Sequence, residues 1–112
     1  MIEKIKKAIK NRLYREMEEK DIGLEEAKQL QNKGAMLIDV RSPQEFREGH
    51  LDGAISIPEY DLKKEIGNIV LDKNKNIVVY CSSGGRSKKA QKTLNKLGYQ
   101  NVYNIYNGLI NY

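Results

Sequence analysis

The residues best suited to chemistry form one contiguous stretch, Cys81-Ser82-Ser83-Gly84-Gly85-Arg86-Ser87, which contains the only cysteine of the chain. The reactive form of a cysteine is the thiolate, and its surroundings set how much of it exists. Adjacent Gly84 and Gly85 let the backbone fold tightly and turn its N–H groups toward the centre of the loop. A helix starting directly after the loop would add the positive end of its peptide dipoles. Arg86 adds a full positive charge. Each feature favours a negative charge at the loop centre, whether a thiolate, an anionic group of a substrate or a persulfide anion. The alternative is an inert cysteine, because free Cys is often simply a small buried hydrophobe. Clustered Gly-Gly, Arg and helix start weigh against that. Arg86 on its own also fits a surface residue or a helix-cap partner.

Such a loop works only if something holds it. Ile77–Tyr80 is the clearest strand of the chain, β-branched, continuous and bounded by turn residues. After the loop, residues 87–97 read as an amphipathic helix with Ala90, Leu94 and Leu97 on one face and Gly98 as its stop. Upstream, residues 36–40 read as a buried strand and residues 54–57 as another, closed by Pro58. Helical signals cover residues 24–31, a turn at 44–48 and a short stretch at 60–66, while Val102–Ile105 reads as a last strand. Residues 49–53 read as loop, and Asp21, Ile22 and Gly23 as a break. Strands that alternate with helices and are apolar on both faces argue for a parallel sheet covered on both sides. In such sheets ligands bind at the carboxyl ends of the strands, which is where Cys81 lies.

The first 19 residues predict an amphipathic helix, with Ile2, Ile5, Ile9, Leu13 and Met17 on one face and Lys4, Lys6, Lys7, Lys10, Arg12 and Arg15 over much of the rest. This gives an organisation of an N-terminal helical extension, 1–20, and one domain, 21–112. The extension is read first as a helix packed on the domain. A dimer contact, a protein partner or an anionic lipid surface are the alternatives. Glu16, Glu18 and Glu19, and the lack of a Trp or Phe anchor, weaken the lipid reading.

At 112 residues the chain has room for one domain. Its net charge of +5 suits small anionic substrates but also mere solubility. No aromatic platform is interleaved with basic residues, so no nucleic-acid partner is expected. No apolar run approaches the roughly 20 residues of a membrane-spanning helix, so no membrane span is expected. The N-terminus lacks an apolar signal region, and one cysteine forms neither an internal disulfide nor a multi-thiolate metal site. These points lead to the expectation of a cytoplasmic protein with a free thiol and no metal or cofactor.

Two motifs carry a resemblance. Leu37-Ile38-Asp39-Val40-Arg41, Glu45-Phe46, Gly49-His50-Leu51, Gly53-Ala54 and Ile57-Pro58 resemble the first motif of rhodanese-like domains, and Cys81-x-x-Gly84-x-Arg86-Ser87 resembles their active-site loop. The resemblance covers residues 21 to about 108. It implies a three-layer α/β fold with a central parallel sheet and helices on both faces. It also implies a sulfurtransferase in which Cys81 takes a sulfane sulfur from thiosulfate or a persulfide donor and passes it to a thiophilic acceptor, cyanide or a thiol. The donor or acceptor is small or is itself a protein. Ser82, Ser83, Gly84, Gly85, Arg86 and Ser87 would then bind the anionic substrate. Arg41, following a strand end, is a further candidate contact, whereas Asp39, Glu45 and His50 are read as hydrogen-bonding architecture. One departure stands out: the family often ends in Gly-Gly and an aromatic, and here Asn107-Gly108-Leu109 takes that place.

Two rival functions fit the same fold. Cysteine phosphatases related to it use a loop one residue longer, usually with a His before the cysteine. Here four residues separate Cys81 from Arg86, and Tyr80 precedes the cysteine. A non-catalytic binding or sensing module is the other rival, and a complete loop with its cysteine argues against it.

Overall fold

β4 (Ile77–Tyr80) lies at the centre of a parallel sheet because its four residues are all apolar enough to be buried on both faces. Successive side chains of a strand point to opposite faces. Ile77 and Val79 therefore join Leu62, Ile66, Ala90 and Leu94 in one cluster, while Val78 and Tyr80 join Ile22, Ala27 and Leu37 in another. The computed structural model describes residues 19–110. Around β4 are β1 (Asp21–Ile22), β2 (Met36–Asp39), β3 (Ile55–Ser56) and β5 (Val102–Ile105), in the order β1-β5-β4-β2-β3. Every pairing is parallel. α3 (Glu59–Ile69) and α4 (Gly85–Lys96) supply the apolar residues over one face and α1 (Leu24–Asn32) those over the other, while α2 (Pro43–Glu48) connects β2 to β3. This is the expected α/β architecture, with a central parallel sheet and helices on both faces.

Several boundaries differ from the sequence reading, each for a local reason. Asp21 and Ile22, read as a break, form an edge strand in register with Asn104 and Ile105. Two residues are too few to show a period. Tertiary bonds hold them instead: the Asp21 carboxylate accepts from Lys88 Nζ at 2.9 Å and from Asn104 Nδ2 at 3.1 Å. The turn at 44–48 is a full helix, started by a capping box in which Ser42 Oγ accepts from Glu45 N–H and the Glu45 carboxylate accepts from Ser42 N–H, both at 3.2 Å. α3 is longer than the expected 60–66, running Glu59–Ile69 with Leu62 and Ile66 buried. α4 starts at Gly85 rather than residue 87, which puts Arg86 in its first turn. The sequence-predicted N-terminal helix lies, but for Glu19, outside the described residues. Among the described residues, no helix is long and apolar enough to cross a membrane.

The turn after β2 is closed by a buried ion pair. Asp39 is fully buried and accepts from Arg41 N–H at 2.9 Å, from Nε at 3.0 and 3.1 Å and from Nη2 at 2.7 Å. Nη2 also donates to the Gly49 carbonyl at 2.6 Å, tying this turn to the loop after α2. The Asp39 hydrogen bonds hold the Arg41 guanidinium in its charged form against the opposing effect of burial. Next to it, the Tyr80 hydroxyl accepts from Leu51 N–H at 3.0 Å. Arg41 was expected to contact substrate. Instead its hydrogen bonds go to Asp39 and Gly49 and none goes to the Cys81 loop. Breaking a buried ion pair by removing one partner leaves the other charge uncompensated. Asp39→Ala should therefore cost about 3 kcal/mol or more of unfolding free energy. Urea denaturation checks this, and a loss within measurement error would remove the pair from the list of structural supports.

Candidate active site

β4 ends at Tyr80 and delivers Cys81 to the carboxyl edge of the sheet, where the residue is 1% exposed. The sulfur accepts hydrogen bonds from Gly84 N–H at 3.1 Å and Ser87 N–H at 3.4 Å. Its third partner is the Ser87 hydroxyl at 3.4 Å. That hydroxyl is buried and donates to the Gly84 carbonyl at 3.2 Å. In the thiol form the chain of donors runs from Sγ through Ser87 Oγ to Gly84 O. Once the thiol proton leaves, the hydroxyl hydrogen is free to turn onto the sulfur, since hydroxyl rotors follow their partners.

Burial pushes the Cys81 thiol pKa up, yet the net shift is downward. The Ser87 hydroxyl, then the N–H groups of Ser87, Gly84 and Ser83, outweigh desolvation by hydrogen-bonding the charged form. The loop can aim these amides because Gly84 sits in the left-handed region at φ 99°. A side chain there would be strained, and its Cβ would lie 3.2 Å from the backbone nitrogen of Asn107.

Asn107 belongs to the turn that braces the loop from the C-terminal side. Leu109 N–H donates to the Ser82 carbonyl at 2.8 Å. Gly108 lies so close that a Cβ on it would meet the Cys81 carbonyl oxygen at 2.3 Å. Asn107 itself is left-handed at φ 63°. Asn is among the residues other than Gly that adopt this conformation most readily, so it serves where the family often has the first glycine of its pair.

Arg86 was expected to aim its charge at the loop centre. Instead it forms a two-pronged ion pair with Glu45, Nη1 to Oε1 at 2.7 Å and Nη2 to Oε2 at 3.0 Å. Ser82 Oγ completes the group by donating to Glu45 Oε2 at 3.1 Å and accepting from Arg86 Nη2 at 3.3 Å. The Arg86 guanidinium holds the Glu45 carboxyl well below the usual carboxylate range, with the Ser42 and Ser82 bonds helping against desolvation. Glu45 is therefore a rim residue of the site as well as a helix cap, which the sequence reading missed. Its one local signal was the Ser42-x-x-Glu45 capping box, which fixes where the carboxylate starts but not where it reaches. Ser83, Gly85 and Arg86 stand exposed at the mouth. His50 Nδ1–H donates to the Phe46 carbonyl at 2.8 Å and the ring stacks on that of Phe46, with no bond to the cysteine. A separate cavity of about 420 Å³, lined by residues such as Leu24, Gln31, His50 and Asp52, contains no residue of the Cys81 loop.

Chemically, the arrangement is a buried thiol at the floor of an amide cradle with a charge-neutral pair on its rim. It can stabilise negative charge on Sγ or on an atom bonded to it.

Comparison with known proteins agrees with this geometry. The family model described as "Rhodanese-like domain" matches residues 23–112. Thiosulfate sulfurtransferase PspE of Escherichia coli is 42% identical over 60% of this chain and 64% of its own length. The tRNA uridine(34) hydroxylase of Buchnera aphidicola is 37% identical over 74% of this chain, which spans only 28% of that protein. Among solved structures, a rhodanese with anions from E. coli aligns at TM-score 0.63 and 38% identity, covering 68% of this chain and 88% of its own. The human single-domain sulfurtransferase TSTD1 aligns at TM-score 0.69 and 26% identity, covering 79% and 89%.

Removing the hydroxyl that turns onto the sulfur should shift its titration. In Ser87→Ala the pH profile of Cys81 alkylation by iodoacetamide should move upward, toward that of an ordinary thiol. At neutral pH the alkylation rate should fall about fivefold, the worth of roughly one hydrogen bond. A profile superimposable on the parent's would leave the backbone amides as the whole cause of the shift.

Proposed function

The chain belongs to the rhodanese-like domain family, and on that premise we propose that it is a sulfurtransferase that carries a sulfane sulfur as a persulfide on Cys81. The observation that carries this reading is the buried sulfur held by Gly84 N–H, Ser87 N–H and the Ser87 hydroxyl. Such a cradle suits an atom that is charged before and after reaction. The Cys81 thiolate attacks the outer sulfur of thiosulfate, the S–S bond of the donor breaks and sulfite leaves with its electron pair. A persulfide donor R–S–SH would instead release R–SH. In the second half-reaction cyanide or a thiol attacks the outer sulfur and the Cys81 thiolate leaves. Two covalent half-reactions of this kind give ping-pong kinetics. The chain contains no second cysteine, so the sulfur is released to an external nucleophile, small or protein-borne.

In this reading Ser82, Ser83, Gly84, Gly85, Arg86 and Ser87 bind the donor, with Arg86 acting from the rim through its pair with Glu45. Arg41 contributes architecture. A free, low-pKa thiol fits a reducing compartment, so a cytoplasmic location is part of the proposal. Four residues between Cys81 and Arg86 leave a tighter loop than the related phosphatases use for a phosphoryl group. The hydroxylase relatives match over this domain alone, and their named activity belongs to much longer chains.

Intact-protein mass spectrometry after thiosulfate treatment should show the gain of one sulfur mass, removed by cyanide. Cys81→Ser should show no gain and no transfer of sulfur from thiosulfate to cyanide. An adduct that persists in Cys81→Ser, or none from either thiosulfate or an organic persulfide in the parent, would overturn the proposal.

A further inference from the structure

The rim of the site bears an ion pair where an anion receptor was expected. Both prongs of the Arg86 guanidinium face the two oxygens of Glu45 at 2.7 and 3.0 Å. Ser82 Oγ, a donor that could otherwise serve a ligand, is also spent on Glu45 Oε2. Arg86 and Glu45 sum to zero charge. The floor of the site adds the negative charge of the Cys81 thiolate, so the net field felt by an incoming anion is repulsive unless the amides at the loop compensate it. The cost of that field grows with the charge of the donor.

We propose that Glu45 is a specificity-determining residue that, by neutralising Arg86, turns the site away from dianionic sulfur donors such as thiosulfate and toward donors with at most one negative charge at the reacting end, such as organic persulfides. This deepens the sulfurtransferase reading and rests on it. The geometry fits a selector that works without blocking the thiol. Glu45 and Arg86 are only partly buried, at 32% and 43% side-chain exposure, and sit beside the mouth. Glu45 hydrogen-bonds Arg86, Ser82 and Ser42, and none of its bonds goes to the sulfur. The reactions compared are balanced in both cases. Thiosulfate gives sulfite and the Cys81 persulfide, and an organic persulfide R–S–SH gives R–SH and the same persulfide.

Glu45→Gln tests this directly, because glutamine keeps the capping box with Ser42 while removing the charge. The donors are thiosulfate, a dianion, and methanethiosulfonate, a monoanion of nearly the same shape that leaves as methanesulfinate. Removing one negative charge about 6 Å from a ligand in a water-like medium is worth about threefold per unit of ligand charge at low salt. In Glu45→Gln, kcat/KM should rise about tenfold for thiosulfate and about threefold for methanethiosulfonate. The ratio of the two should thus move about threefold toward the dianion. Arg86→Gln, which leaves Glu45 uncompensated, should move that ratio the opposite way. Equal factors for both donors in Glu45→Gln, or a loss with thiosulfate, would overturn the proposal and leave Glu45 a positioning residue for Arg86. A second arm needs no sulfur transfer: protection of Cys81 from iodoacetamide by sulfate, relative to methanesulfonate, should strengthen in Glu45→Gln. If no donor yields a persulfide but this protection changes as stated, the charge selection stands and the sulfurtransferase reading falls. If the protection is also unaltered, the selection falls with it.

Discussion

A sulfur that is nearly inaccessible to water is nonetheless surrounded by groups that favour its anion over that of an ordinary thiol, and much of the local structure positions them. Desolvation alone would favour the neutral thiol. The opposing hydrogen bonds come from the Ser87 hydroxyl and from amides of the loop and of the first turn of α4. Gly84 turns them inward by taking a left-handed conformation. That conformation brings its Cα against the backbone of Asn107, and the same turn presses Gly108 onto the Cys81 carbonyl. Position 108 therefore needs a hydrogen in place of a side chain, and position 107 needs a residue content at positive φ. The surroundings of one atom thus constrain residues more than twenty positions away through backbone contact.

Charge is handled separately from this amide cradle. Arg41 and Arg86 both look from sequence like anion receptors, and each is engaged by a carboxylate. For Arg41 the partner is fully buried, and the pair closes the turn after β2. For Arg86 the partner is at the surface, so the pair is the weaker of the two in energy and the more open to competition by solvent or a ligand. One ion pair therefore fixes architecture, and the other sets the electrostatics of the entrance. The thiol owes its lowered pKa to neutral donors, the amides and the Ser87 hydroxyl. The Arg86 charge still reaches the sulfur across the rim, since each favours the charged form of the other.

What the sequence revealed follows the range of each interaction. The strand Ile77–Tyr80, the loop and the helix after it are contiguous, so their apolar periods and glycines display the cradle directly. The capping box at Ser42 and Glu45 is equally local, yet the sequence reading has only a turn at 44–48. The Glu45–Arg86 pair is not local, because it joins residues 41 positions apart on elements whose relative placement only the packed sheet defines. β1 was invisible for a different reason. Two residues carry no period, and their strand character comes from β5 and from the bonds of Asp21 to Lys88 and Asn104. The start of α4 at Gly85 differs from the sequence reading because glycine is a poor helix former and masks the onset, although Arg86 after it is a good one.

Among the described residues, every hydrogen bond to the sulfur comes from within residues 81–87, and the braces come from two short segments, around Glu45 and around Asn107 to Leu109. The thiol chemistry is therefore self-contained within one small sheet. A fold of this kind specialises at its rim rather than at its floor, because the floor tolerates little: Gly84, Gly108 and Ser87 are each fixed by a close contact or a hydrogen bond. Ser83 and Gly85 are exposed and carry no such constraint, and exposed Arg86 is held only by its partly buried partners Glu45 and Ser82. Differences in donor or acceptor among proteins sharing this cradle would then arise from these outer residues and from what faces them, which is where function is grafted onto a common fold.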